Sequence, residues 1–225
     1  MGTNTLKEKI TFNKADTEVY AKTYFFIKGY ATGVGLPQTL IALALARRLH
    51  EGQYRKDGSP YLIHPLKVCS TLISYNVRDD ATLAAALLHD VLEDCMDKLP
   101  QGGIELYTEY NLDKEVYDIV SLLTKHSGMS DDELCEHFET MLHNEKACMI
   151  KLSDRLHNSG TLYALKPEKI KKYVRETDDF LLPIASYCVN YYPEHANMFS
   201  ILKSSIRSMN RAMSIMIDKF TGEQA

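Results

Sequence analysis

The sequence predicts an all-α protein on two observations: apolar residues recur at helical spacing almost everywhere, and no extended stretch alternates strictly enough for a half-buried strand. About nine to eleven helices follow from where that period starts and stops.

The first helix is expected over residues 16–31, broken at Thr32-Gly33-Val34-Gly35, where two glycines permit backbone angles a helix does not use. Pro37 suits a first helical turn and opens a helix to about residue 52. Residues 53–64 carry Gly58, Pro60 and polar side chains without helical period, so they read as a loop that presents side chains. Pro65 then opens a helix to about residue 75. The next, 79–93, is apolar almost all round through Ala81, Leu83, Ala84, Ala85, Ala86, Leu87, Leu88 and Val91, which marks a central helix. Pro100, Gly102 and Gly103 mark a loop before helices at 104–110 and 113–124, the latter stopped by Gly128. Helices at 131–143, 146–165, 167–191 and 195–220 complete the set, with Pro183 a kink point in the penultimate one. No repeat, low-complexity tract or separating linker is evident. The expectation is one domain over 1–225, with 1–35 an N-terminal helical extension and 195–225 a C-terminal helix.

The composition, 45% hydrophobic and 25% charged, is that of a chain able to build a packed core. A net charge of −4 offers no general attraction to DNA or RNA, so a polyanionic ligand would need a local cationic pocket. Cys69, Cys95, Cys135, Cys148 and Cys188 are widely spaced without CxxC or CxxH clustering and read as reduced core thiols. No apolar run approaches the ~20 residues of a membrane span, and the N-terminus lacks a secretory pattern. A cytoplasmic location is expected.

The chemistry centres on His89-Asp90-Val91-Leu92-Glu93-Asp94, at the end of the most hydrophobic helix, where four ionisable groups would be costly to bury without purpose. On one helix His89 and Glu93, like Asp90 and Asp94, stand one turn apart and form two adjacent ridges. Solvated acids at an exposed helix end are the plain alternative, although the helix dipole opposes acids there. Two further segments carry polar groups beside apolar runs: Ile63-His64-Pro65, and Ile150-Lys151-Leu152-Ser153-Asp154-Arg155-Leu156-His157-Asn158. If His64 and Asp154 converge on His89 and Asp90, two imidazoles and two carboxylates make a mixed nitrogen and oxygen set suited to manganese, iron or zinc.

The order of these segments, with Arg55-Lys56-Asp57-Gly58-Ser59-Pro60-Tyr61 ahead of His64, resembles the HD-type hydrolase domain of the RelA/SpoT family, most strongly its small stand-alone alarmone hydrolases. The resemblance covers roughly residues 45–185 and includes Arg175-Glu176-Thr177; no synthetase or regulatory module is expected beyond it. It implies an HD-domain helical bundle that hydrolyses ppGpp or pppGpp to GDP or GTP plus pyrophosphate, with Mn2+ as cofactor. His64, His89, Asp90 and Asp154 then match the metal ligands, and Glu93 and Asp94 the pair that activates or orients water. Arg55, Lys56 and Asp57 match the loop beside the guanine, where members often carry Ser in place of Asp57, and Asn158 and Thr161 match the nucleoside pocket. Lys56, Lys125, Lys151 and Arg155 are candidates for neutralising the pyrophosphate.

Two other readings stay open: an HD phosphohydrolase acting on NADPH or a deoxynucleotide, and a catalytically silent nucleotide-binding or interaction module. His50, His126, His137, His143, His157 and His195 join no second motif and read as surface or packing histidines, with His157 nearest to an exception. The stripe Ile201, Leu202, Ile206, Met209, Met213, Met216 and Ile217 reads as core packing or as a subunit interface of a homo-oligomer.

Overall fold

The computed structural model describes residues 14–99, 101–126 and 128–221. Pro100, the ends of the expected N- and C-terminal helices (1–13 and 222–225) and Ser127 lie outside them. The helices are α1 (Lys14–Val34), α2 (Pro37–Leu49), α3 (Ile63–Ser74), α4 (Asp80–Leu88), α5 (Val91–Asp94) and α6 (Glu105–Thr108). After them come α7 (Lys114–Leu123), α8 (Asp131–Leu142), α9 (Glu145–Ser159), α10 (Pro167–Glu176), α11 (Leu182–Tyr191) and α12 (Ala196–Thr221). The described residues form no strand, only an antiparallel bridge between Tyr54 and Pro60.

The all-round apolar helix is the hub, as its composition requires. Residues 81–88 of α4 are all buried, and α2, α3, α7 and α9 pack against it. Each fully buried leucine there contributes roughly 1.5–3 kcal/mol by leaving water. Polar residues fix its start. Asp79 caps α4 by accepting from the Thr82 N–H at 2.8 Å. The next residue, Asp80, reaches across to α2 and accepts from the N–H groups of Gln38 (2.8 Å) and Thr39 (2.7 Å), whose own helix leaves them without partners. A main apolar cluster runs from Tyr20 to Ile206, and Leu162, Ile170 and Ile217 form a smaller one. Leu202, Ile206 and Ile217 of the α12 stripe are therefore core, while Ile201 is exposed.

Several boundaries differ from expectation, each for a local reason. α1 continues through Thr32 and Gly33, with the Thr32 hydroxyl donating to the Lys28 carbonyl, and turns only at Gly35, whose φ is +81°. α3 starts at Ile63 instead of Pro65, so His64 sits in its first turn rather than in the loop. The expected helix 79–93 breaks at His89 and Asp90 and resumes as α5. The expected 146–165 helix stops at Gly160, before a 3-10 turn at Leu162–Ala164. The expected 167–191 helix contains a π turn, Thr177–Leu181, just before Pro183, which has no N–H to give the preceding turn. Cys135 is exposed, unlike the four other, buried thiols. No helix among the described residues is long and apolar enough to cross a membrane.

Candidate metal centre and nucleotide pocket

The break after α4 is what builds the centre. With the ladder interrupted at His89 and Asp90, both side chains turn toward α3 and α9 instead of continuing as separate helix ridges. His64 Nε2 lies 3.1 Å from His89 Nε2, 3.3 Å from Asp90 Oδ2 and 3.1 Å from Asp154 Oδ1. His89 Nε2 lies 3.2 Å from Asp90 Oδ1 and 3.8 Å from Asp154 Oδ1. His64, His89 and Asp90 offer one ligand atom each within 4.8 Å of one another. All four side chains are mostly buried.

Protonation shows what the cluster asks for. His89 Nδ1 faces the Ala86 carbonyl at 2.9 Å; a carbonyl only accepts, so Nδ1 carries the hydrogen and Nε2 points inward. His64 Nδ1 meets His157 Nδ1 at 2.7 Å. Burial, then the charges of His64 and Arg55, push His157 down to about 4, so that ring is neutral near pH 7; the two Nδ1 atoms share a hydrogen, and His64 Nε2 faces the same point as His89 Nε2. Burial works against a charged His89, yet Asp90 and Asp154 outweigh it and raise it to about 10. Burial would likewise raise Asp90 and Asp154, but the imidazoles and, for Asp154, Lys151 hold both carboxyls well below the usual range. Two ring nitrogens and two carboxylates thus converge on a place that demands positive charge. Ligands bonded to one ion at about 2.0–2.2 Å sit about 3 Å from their neighbours, close to the 3.1–3.3 Å among His64, His89 and Asp90, so these three fit a divalent transition metal, with Asp154 Oδ1 beside them at 3.1 Å from His64 and 3.8 Å from His89.

Hydrogen bonds behind the four residues fix their aim. The Tyr61 hydroxyl donates to Asp90 Oδ2 at 2.7 Å, and the Asn158 amide donates to Asp154 Oδ1 at 2.5 Å. His50, buried, stacks on the Tyr61 ring with centroids 4.8 Å apart. Tyr61 and Glu176 have no role assigned from the sequence, and His157, nearest to an exception among the histidines read as surface or packing groups, here meets His64. Each lay inside a run singled out for its neighbours, which was the available signal.

Glu93 and Asp94 stand at the open rim and line a cavity of about 740 Å³ with Thr124, Lys125 and His126. Glu93 Oε1 accepts from the Lys125 N–H at 2.7 Å. The protein crowding its carboxylate raises its pKa, against the Lys125 N–H and the Lys151 charge. Lys151 Nζ is 3.4 Å from Asp154 Oδ2, and Lys125 Nζ is 3.0 Å from Glu176 Oε1. Arg155 is buried: it pairs with Glu176, donates to the Thr177 hydroxyl at 3.1 Å and lies 3.9 Å from the Tyr173 ring centre. Its guanidinium is engaged within the protein.

On the other side of Tyr61 a pocket of about 310 Å³ is lined by Arg55, Lys56, Asp57, Asn158 and Thr161, with apolar walls that include Leu162 and Tyr173. Arg55 donates to Asn158 Oδ1 (2.7 Å) and Thr161 Oγ1 (3.2 Å), which ties the loop to the end of α9. Lys56 is exposed beside Lys169, whose charge lowers its pKa. Tyr61 and Asn158 touch both pocket and centre, so whatever fills the first is presented to the second.

The HD-domain family model matches residues 42–187, and this chain belongs to that family. HD hydrolases depend on divalent metals, and the cluster here is of the kind that could hold one. The chain is 36% identical over 160 residues to a probable guanosine-3′,5′-bis(diphosphate) 3′-pyrophosphohydrolase of Synechocystis sp., covering 67% of this chain and 20% of that protein. It is also 36% identical over 147 residues to the enzyme of that name from Haemophilus influenzae, covering 63% and 21%. A GTP pyrophosphokinase of Streptomyces coelicolor is 38% identical over 158 residues, covering 64% and 17%. The chain thus spans about a fifth of the length of these relatives. The solved structure of a metazoan ortholog of SpoT that hydrolyses ppGpp shares the fold, with a TM-score of 0.54 at 22% identity, covering 78% of this chain and 95% of that one.

Proposed function

We propose that this chain is a metal-dependent hydrolase that removes the 3′-pyrophosphate of ppGpp and pppGpp, and that residues 1–225 form one HD hydrolase domain. The observation that carries the reading is the contact between the centre of His64, His89, Asp90 and Asp154 and the nucleoside-sized pocket, made through Tyr61 and Asn158. Names of relatives matched across that region supply the substrate class.

A divalent cation, Mn2+ on the family resemblance, would lower the pKa of a water toward ~7 and polarise a phosphoryl oxygen. Glu93 takes the proton from the attacking water, and Asp94 beside it orients that water. The water oxygen bonds to the phosphorus attached to O3′, the P–O3′ bond breaks with its electron pair going to O3′, and O3′ takes up a proton that balances the one Glu93 removed from the water, which regenerates the carboxylate. The products are GDP or GTP and pyrophosphate. Lys125 and Lys151 neutralise the pyrophosphate, Arg155 and Glu176 hold Lys125 in place, and Lys56 meets anionic groups at the pocket mouth. Arg55 and Thr161 shape the nucleoside site.

The test is incubation of metal-exchanged protein with ppGpp, pppGpp, NADPH and dGTP, resolving the nucleotide and phosphate products. Intact pyrophosphate released from ppGpp and pppGpp is expected. Preferential turnover of NADPH or dGTP assigns the same centre another substrate, and binding without any turnover makes the chain a nucleotide-binding module.

A further inference from the structure

Gln53 sits just past the end of α2, at the start of the loop that carries Arg55, and it lines neither the 310 Å³ pocket nor the 740 Å³ cavity. Its half-buried amide is turned inward instead. Nε2 donates to the Asp94 carbonyl at 2.9 Å and to Cys95 Sγ at 3.6 Å, and Oε1 faces His50 Nδ1 at 2.7 Å. A carbonyl only accepts, so the Asp94 bond fixes which end of the amide is the NH2 and makes His50 Nδ1 the donor to Oε1. The backbone of Gln53 is engaged too: its carbonyl accepts from the Tyr61 N–H at 2.9 Å, and its N–H donates to the His50 carbonyl at 3.1 Å.

These bonds join separate pieces of the centre at one residue. α5 is a single turn of four residues, too short to hold its own direction, and Asp94 is its last residue, whose carbonyl has no partner within the helix. The incoming end is fixed by the Asp90 carbonyl, which accepts from the Glu93 and Asp94 N–H groups at 3.1 and 2.8 Å. The outgoing end is held by Gln53 on the Asp94 carbonyl and by the Cys95 thiol on the Leu49 carbonyl at 3.5 Å, and of these the amide is the stronger donor. Tyr61, which the Gln53 backbone holds, donates to Asp90 Oδ2 and stacks on His50. We propose that Gln53 is a positioning residue: its side chain sets Asp94 in place relative to the Tyr61 and Asp90 edge of the metal centre, and it acts on turnover through Asp94. The role of Asp94 in orienting water rests on the hydrolase reading; the tie itself does not.

The test uses two variants of the full chain. Gln53→Met matches the side chain in length and removes both polar ends, whereas Gln53→Glu keeps an acceptor for His50 and removes only the donor to the Asp94 carbonyl. The Tyr61 bond to the backbone survives in both. With Mn2+ loaded, kcat for ppGpp is expected to fall about 10- to 100-fold in each, while KM and bound Mn2+ stay near wild type. Asp94→Ala lowers kcat by itself, and adding Gln53→Met to it should lower kcat no further, because the two residues act as one. Amide hydrogen exchange, followed without substrate, should quicken about 2- to 10-fold over residues 93–95 in both single variants and stay unchanged in α4. Losses that multiply in the double variant overturn the proposal, as do single variants with wild-type kcat or with wild-type exchange over 93–95. An equal rise of exchange in α4 makes the role a general structural one and overturns it as well. If the wild type releases no pyrophosphate while exchange over 93–95 still depends on Gln53, the tie stands and the hydrolase reading is what fails.

Discussion

At the scale of single residues, the four converging side chains differ from their neighbours in what their loss should do. His89→Ala or Asp154→Ala removes a donor from a buried cluster whose remaining groups repel or crowd one another, so metal binding and metal-dependent hydrolysis should both disappear. Glu93→Ala leaves the cluster intact and should lower kcat by about 10²- to 10⁴-fold while metal content, read by elemental analysis, stays near wild type. Unchanged turnover in Glu93→Ala would remove it from the chemistry. Because crowding raises the Glu93 carboxyl, its basic form is lost earlier as pH falls. The acid limb of kcat should therefore sit above the ordinary glutamate range, and Glu93→Gln should abolish that limb along with most of the rate. Arg55→Ala should chiefly raise KM, since Arg55 braces the pocket wall through Asn158 and Thr161. A change confined to kcat would contradict that. His157 orients His64 from behind, and His157→Phe should weaken metal affinity by about 10- to 100-fold without altering the donors themselves. The donors were legible in the sequence because three separated runs each set polar groups against apolar ones. Tyr61 was not, and His157 was only set apart as nearest to an exception, because each acts through a hydrogen bond to a side chain of another segment, and spacing along one segment carries no record of it.

At the scale of elements, the decisive feature is that α4 stops at Leu88 and the chain resumes at Val91. A helix apolar almost all round was expected to run unbroken to residue 93, and local propensity gives no reason to stop at Leu88; the break sets His89 and Asp90 against side chains of α3 and α9. The π turn at Thr177–Leu181 is similar in kind. Thr177 receives the Arg155 guanidinium and donates to the Tyr173 carbonyl, so the widened turn packs against the buried Arg155 and Glu176 pair. Arg155→Ala would strand Glu176 with Lys125 alone and open space beside Tyr173. A loss of about 3 kcal/mol of stability is expected by chemical denaturation, with metal affinity little changed. A variant as stable as wild type would show that the pair does not hold α9 to α10.

At the scale of the whole molecule, the apolar helix α4 was readable as central because nothing along it could face water, and Leu83→Ala should cost about 2–5 kcal/mol. The other helices were readable as existing but not as arranged: which faces meet is decided by long-range packing and by ties such as Asp80 onto the start of α2. That arrangement brings α3, the end of α4 and α9 together, places a pocket against them, and joins the two through Tyr61 and Asn158. A metal bound only by the folded chain also links function to stability. Saturating Mn2+ at about 100 times its Kd should add about 2.7 kcal/mol, and the gain should vanish in Asp154→Ala.

The most direct measurement is a titration of metal-stripped protein with Mn2+, following bound metal and pyrophosphate release from ppGpp in the same samples, for wild type and Asp154→Ala. Turnover that rises in step with a single tight ion per chain and is absent from the variant is the expected result. Full turnover in the stripped protein, or an Asp154→Ala variant that binds the ion as tightly as wild type, would contradict a centre made by these four side chains.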